Sequence, residues 1–89
     1  MPSVEFAKSL RRHVDCPVQQ VPAGSLREVL EAALLAAPGL ERYVLDDQGA
    51  VRKHVAVFVN AEMVHDRVRL ERSIAGADKV LVIQALTGG

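Results

Sequence analysis

The residues of this chain that could do chemistry are few and scattered. Cys16 is the single cysteine and precedes Pro17. With no second thiol there is no disulfide framework and no cysteine-based metal motif, and a semi-buried structural role is expected rather than a redox one. His13, His54 and His65 lack metal-ligand spacing of the His-Glu-x-x-His kind and read as surface or strand-edge residues, so no metal is expected. Asp46-Asp47 is a carboxylate pair in appearance, but Asp46-Asp47-Gln48-Gly49 is a turn sequence, which explains both acids. Arg11-Arg12 and Arg52-Lys53 read as solvated faces, some of which could meet acidic rims on partners. What remains is the end of the chain, Thr87-Gly88-Gly89. Lacking a Cβ, the two glycines can take backbone conformations closed to other residues.

Such a tail needs a folded body behind it. Val4 and Phe6 fall on one face of an alternating run, Ser3 to Ala7, which predicts a half-buried strand. A polar stretch, Lys8 to Asp15, leads to a second extended run, Val18 to Val21, stopped by Pro22-Ala23-Gly24. The two runs could pair as an N-terminal hairpin. Ser25-Leu26-Arg27-Glu28 is a capping box, in which the Ser25 hydroxyl and the Glu28 carboxylate each accept from the other's backbone amide. Leu26, Val29, Leu30, Ala33 and Leu34 follow at helical spacing, and Pro38-Gly39 ends the helix, placed over 25–37.

Leu40 to Leu45 fits either type of element. Val51 to Val59 is the strongest strand, with Val55, Val57 and Val59 on one face and Ala56 and Phe58 on the other. Asn60-Ala61-Glu62 predicts a turn, Met63 to His65 a short strand, and Val68 to Ala77 an irregular segment with room for a helical turn. Lys79 to Leu86 closes the chain as a strand, Val80 and Val82 on one face, Leu81 and Ile83 on the other. One helix can cover only one face of such a sheet, so the fold class is α+β with a second apolar face left for a dimer or a partner.

The totals limit what that partner is. Of 89 residues, 49% are hydrophobic and 25% charged, an ordinary globular mixture for one domain. Eleven basic residues balance eleven acidic ones, and aromatic residues are scarce, so no nucleic-acid partner and no anionic membrane is expected. No secretory signal or membrane span is evident, and the expected location is the cytoplasm.

The closing segment Ala77 to Gly89, an apolar strand running into Gly88-Gly89, resembles the MoaD/ThiS-like sulfur-carrier family: the molybdopterin-synthase small subunit, the thiamin sulfur carrier and other ubiquitin-like β-grasp proteins. Val4 to Ala7 with Leu10-Arg11 resembles the family's first strand, Ser25 to Leu30 its helix start, and His54 to Asn60 its central strand and turn. The extra segment Leu40 to Val51 is similar to the longer carriers of cysteine- or methionine-type pathways. Asn60-Ala61 stands where many relatives have Asn-Gly, and Gly76-Ala77-Asp78-Lys79 replaces the usual Asp-Gly-Asp-Glu.

The resemblance implies a mixed sheet of four or five strands with one main helix across a face, a β-grasp body over 1–86 and a flexible tail over 87–89. It also implies a substrate rather than an enzyme. An E1-like partner uses ATP to adenylate the Gly89 carboxylate, sulfur from a persulfide or sulfide displaces AMP, and the thiocarboxylate passes sulfur to an accepting synthase. Thr87 and Gly88 complete the tail, and no cofactor is bound by the carrier. Phe58, Leu81 and Ile83, with Leu86 near the root of the tail, are the expected partner-binding residues, while a homodimer through the same open face stays open. A protein modifier joined to lysines and a non-covalent binding subunit are the alternative functions.

Overall fold

The computed structural model describes residues 1–11 and 17–84. Strand β1 (Ser3–Phe6) leads into a single helical turn, α1 (Lys8–Arg11). Strand β2 (Gln19–Gln20) returns antiparallel to β1, with Ser3 opposite Gln20, so the expected N-terminal hairpin forms with a short outer strand. A two-residue strand, β3 (Gly24–Ser25), precedes helix α2 (Leu26–Leu35). The capping box is present in both halves: the Glu28 amide donates to Ser25 Oγ at 3.1 Å and the Ser25 amide to Glu28 Oε1 at 2.9 Å. Helix α2 buries Leu26, Val29, Leu30, Ala33 and Leu34, the stripe that helical spacing picks out.

A 3₁₀ turn (Pro38–Leu40) and α3 (Glu41–Val44) resolve the ambiguous segment as helical. Strands β4 (Val55–Val59), β5 (Glu62–Met63), β6 (Ser73–Ile74) and β7 (Lys79–Gln84) follow. Among the described residues, the main sheet runs β2-β1-β7-β4-β5, and β3 pairs with β6 in a separate ladder. The first and last strands lie side by side and parallel, Val4 opposite Val80 and Phe6 opposite Val82, while β4 is antiparallel to β7. The sheet is therefore mixed. Val4, Phe6, Val55, Val57, Val59, Val80 and Val82 are buried in one cluster with the apolar stripe of α2. No polar or charged side chain is buried among the described residues.

Two expectations are corrected. The strand predicted from Val51 begins only at Val55. In a continuous strand, alternate positions share a face, so Lys53 would enter the row of Val55, Val57 and Val59 inside the core. An unpaired ammonium there would lose its hydration with nothing to replace it. Instead Val51 bridges Leu45 across the Asp46–Gly49 turn, and the Arg52-to-His54 segment is exposed. The bend is held by the Arg67 guanidinium, which donates to the carbonyls of Arg52 and Val55.

The second correction concerns Val68 to Ala77, where no helical turn forms. The segment contains β6, and its carbonyls instead receive the first amides of α2: Leu26 N–H donates to Arg72 O at 2.8 Å and Arg27 N–H to Leu70 O at 3.0 Å. The bend before it is organised by Asp66, whose carboxylate accepts from the amides of Val68 (3.3 Å), Arg69 (2.9 Å) and Glu71 (3.1 Å).

Those amides, Glu71 first and Arg69 next, favour the ionised acid and hold Asp66 below the ordinary aspartate range. Asp78 is lowered likewise, chiefly by the Ala75 amide and then by Asn60. Both folded-state values lie below the unfolded ones. The ionised acids therefore favour folding above the ordinary aspartate range, and that contribution is lost as pH falls through the folded values. Thermal melts from about pH 5 to about pH 3 are expected to fall more steeply for the wild type than for Asp66→Asn. Parallel pH profiles for the two proteins would remove Asp66 from the acid response.

Candidate functional site

The face of the sheet away from α2 carries the expected docking residues. Register places Phe58 of β4 opposite Leu81 of β7, and Ala56 opposite Ile83. Side chains directly opposite in neighbouring strands stand about 5 Å apart at Cβ, so these form a continuous apolar surface. Leu81 is 36% exposed, and Phe58 and Ile83 are half-buried. The row continues to both sides: Met63 of β5 lies opposite Phe58, and Glu5 of β1 lies opposite Leu81. Met63 is 45% exposed and belongs to the patch, although sequence reading did not include it. The available signal was the two-residue Asn60-Ala61 turn, which fixes the hairpin register and brings Met63 over Phe58.

Strand β7 carries this patch to Gln84, the last residue described before the tail. Leu86, Thr87, Gly88 and Gly89, and with them the boundary between body and tail, lie outside the described residues, as do His13 and Cys16. His54 and His65 are exposed. Among the described residues there is no group of three or more His, Cys, Asp or Glu able to hold a metal, and no helix is long and apolar enough to cross a membrane.

The sequence matches the ThiS family over residues 12–89, most of the chain and including the Gly88-Gly89 end. The chain belongs to the ThiS family. No curated protein sequence matches it. Among solved structures, SAMP1 from Haloferax volcanii superposes with a TM-score of 0.80 at 22% identity, covering 99% of this chain and 98% of that one. A chain of the Amycolatopsis orientalis BexX/CysO complex gives 0.81 at 19% identity with 100% of both chains covered. CysO from Mycobacterium tuberculosis gives 0.79 at 22%, covering 97% and 100%. Identities of this size establish a shared fold, the ubiquitin-like β-grasp.

The two turns in which this ThiS-family chain departs from the resemblance are joined to one another. Asn60 (φ 50°) and Ala61 (φ 68°) both adopt left-handed backbone, as the turn between β4 and β5 requires. Asn60 Nδ2 donates to Asp78 Oδ1 at 3.0 Å, and the Lys79 amide donates to Asn60 Oδ1 at 2.9 Å. Asp78 Oδ2 in turn accepts from the Ala75 amide at 3.0 Å, closing a turn in which Gly76 sits at φ 60°. This network sets the start of β7, at the end of the strand remote from the tail.

Proposed function

We propose that this ThiS-family chain is a sulfur carrier whose working group is the C-terminal carboxylate of Gly89. The observation that carries the reading is the family match, which runs through residue 89. A carboxylate is a poor electrophile because its charge repels nucleophiles and oxide does not leave. In the proposed cycle an E1-like partner enzyme holds ATP. A carboxylate oxygen attacks the α-phosphorus, pyrophosphate departs, and an acyl-adenylate forms. Sulfide then attacks the acyl carbon, AMP leaves, and the thiocarboxylate remains for a sulfur-accepting synthase. Gly88 and Gly89 admit the chain to a narrow channel because neither has a Cβ. The chain is the substrate of this chemistry and supplies no acid, base or metal.

The open face formed by Met63, Phe58, Leu81 and Ile83 supports docking, since a short tail cannot by itself choose an enzyme. Leu81→Asp would place an unpaired charge in an apolar interface. It is expected to weaken binding to the adenylating enzyme by roughly 30-fold or more, the effect of losing an interface anchor. The melting temperature should stay close to that of the wild type, because Leu81 is 36% exposed in the free protein. Titration calorimetry gives the affinity, and an unchanged value would remove the patch from the account.

The likeness to SAMP1, whose name is small archaeal modifier protein 1, favours a second reading in which a lysine amine rather than sulfide takes the acyl group. Intact mass after incubation with the adenylating enzyme, ATP and sulfide distinguishes them. Exchange of one oxygen for sulfur supports the carrier. Amide-linked adducts support the modifier, and an unaltered mass supports a non-covalent subunit.

A further inference from the structure

Strand β7 keeps one more rung on its β1 side than β1 can supply. The Ala7 amide donates to the Val82 carbonyl at 2.8 Å, and the chain then turns into α1. Alternate residues of a strand direct their backbone groups to the same neighbour, so Gln84 turns its N–H and C=O to the side that β1 has just left. The Ser9 hydroxyl stands there. Its Oγ accepts from the Gln84 amide at 3.3 Å and donates to the Gln84 carbonyl at 3.4 Å. A hydroxyl can do both at once, which most side chains cannot. The contact is partly buried, and Gln84 is the residue from which 85–89 depart.

We propose that Ser9 is a positioning residue for the tail. By replacing the missing strand at the last rung of β7, it holds Gln84, the residue to which the tail is attached. This inference rests on the carrier reading, in which Gly89 must reach a partner's active site while the sheet face is docked. With Ser9 in place, the span to Gly89 is counted from Gln84, at most about 17 Å for a fully extended segment. Without the hydroxyl, the last backbone anchor on the β1 side retreats to Val82. On the other side Ile83 stays paired with Ala56 of β4, so one further residue, Gln84, must then be ordered each time the tail is inserted, at an entropic cost.

The consequences separate Ser9 from a merely structural serine. Insertion follows docking, so Ser9→Ala is expected to lower kcat for adenylate formation by roughly tenfold, the equivalent of ordering about one more residue. The KM for the carrier should be unchanged, because the docking face is intact. Ser9→Thr keeps the hydroxyl and is expected to restore kcat.

The experiment pairs two measurements on the full chain. Hydrogen exchange of the free protein is expected to show the Gln84 amide losing about tenfold in protection in Ser9→Ala while those of Val80 and Val82 keep theirs. ATP–pyrophosphate exchange with the adenylating enzyme then gives kcat and KM for wild type, Ser9→Ala and Ser9→Thr. Equal Gln84 protection or equal kcat in Ser9→Ala would overturn the role of Ser9 while leaving the carrier reading standing. Absence of exchange with the wild type would overturn the carrier reading, and this role with it.

Discussion

Removing Gly89 is expected to reduce adenylate and thiocarboxylate formation by at least about 100-fold while leaving thermal stability unchanged. The size follows from geometry. Reacting atoms must approach to about 3–3.5 Å, and a misplacement of about 1 Å can cost 100-fold. Deleting one residue withdraws the carboxylate by as much as about 3.5 Å along an extended chain. Extending the protein beyond Gly89 fails for a different reason, because the nucleophilic carboxylate becomes a peptide carbonyl and the new terminus lies past the α-phosphate. Stability is expected to be spared because, among the described residues, the last member of the buried cluster is Val82, seven positions before Gly89. ATP–pyrophosphate exchange and intact mass measure the chemistry, and a thermal melt measures the body. If the Gly89-deleted protein restored growth of a carrier-null strain, the carrier reading would fall and the non-covalent subunit would replace it.

The largest effect on stability is expected at Leu30. Its side chain is 0% exposed and lies in the stripe by which α2 packs on the sheet. Leu30→Ala removes buried carbon and leaves a cavity, at a cost of roughly 2–5 kcal/mol. A domain of this kind has about 5–15 kcal/mol in total, so one substitution takes a large fraction of it. The corresponding fall in melting temperature is about 10 °C or more. Leu35, on the same helix but 83% exposed, supplies the control: Leu35→Ala should change stability by no more than about 0.5 kcal/mol. Urea unfolding with unchanged slope for both variants would confirm that the native state, rather than the unfolded one, carries the difference. Similar costs at the two positions would contradict the packing of α2 described above.

Helix α2 shows what local sequence can specify. Ser25 and Glu28 are three residues apart, their reciprocal bonds need nothing from the rest of the chain, and the stripe from Leu26 to Leu34 follows from helical period alone. The alternation in β4 and β7 likewise assigned Val55, Val57, Val80 and Val82 to the core and Phe58, Leu81 and Ile83 to the open face, because strand period is a local property. Once the helix was identified as the cover for one face, the other was necessarily left open. The Gly88-Gly89 end was legible for the simplest reason, since a missing Cβ is written in the residue itself.

The start of β4 was not legible. Val51 has the composition of a strand residue, but whether it pairs with Leu45 or continues toward Val55 depends on where Arg67 places its guanidinium, and composition carries no information about that. The β3–β6 ladder joins Gly24 to Ile74, and such short strands gain too little from propensity to be seen before the chain brings them together. Ser9 is the extreme case. It lies in a polar stretch with no motif around it, and its partner Gln84 is 75 residues away. The sequence by itself determined the helix, the faces of the long strands and the glycine end. Only the tertiary structure decided which serine completes the final rung of β7, because that assignment requires β1 to stop at Phe6 while its parallel neighbour runs on to Gln84.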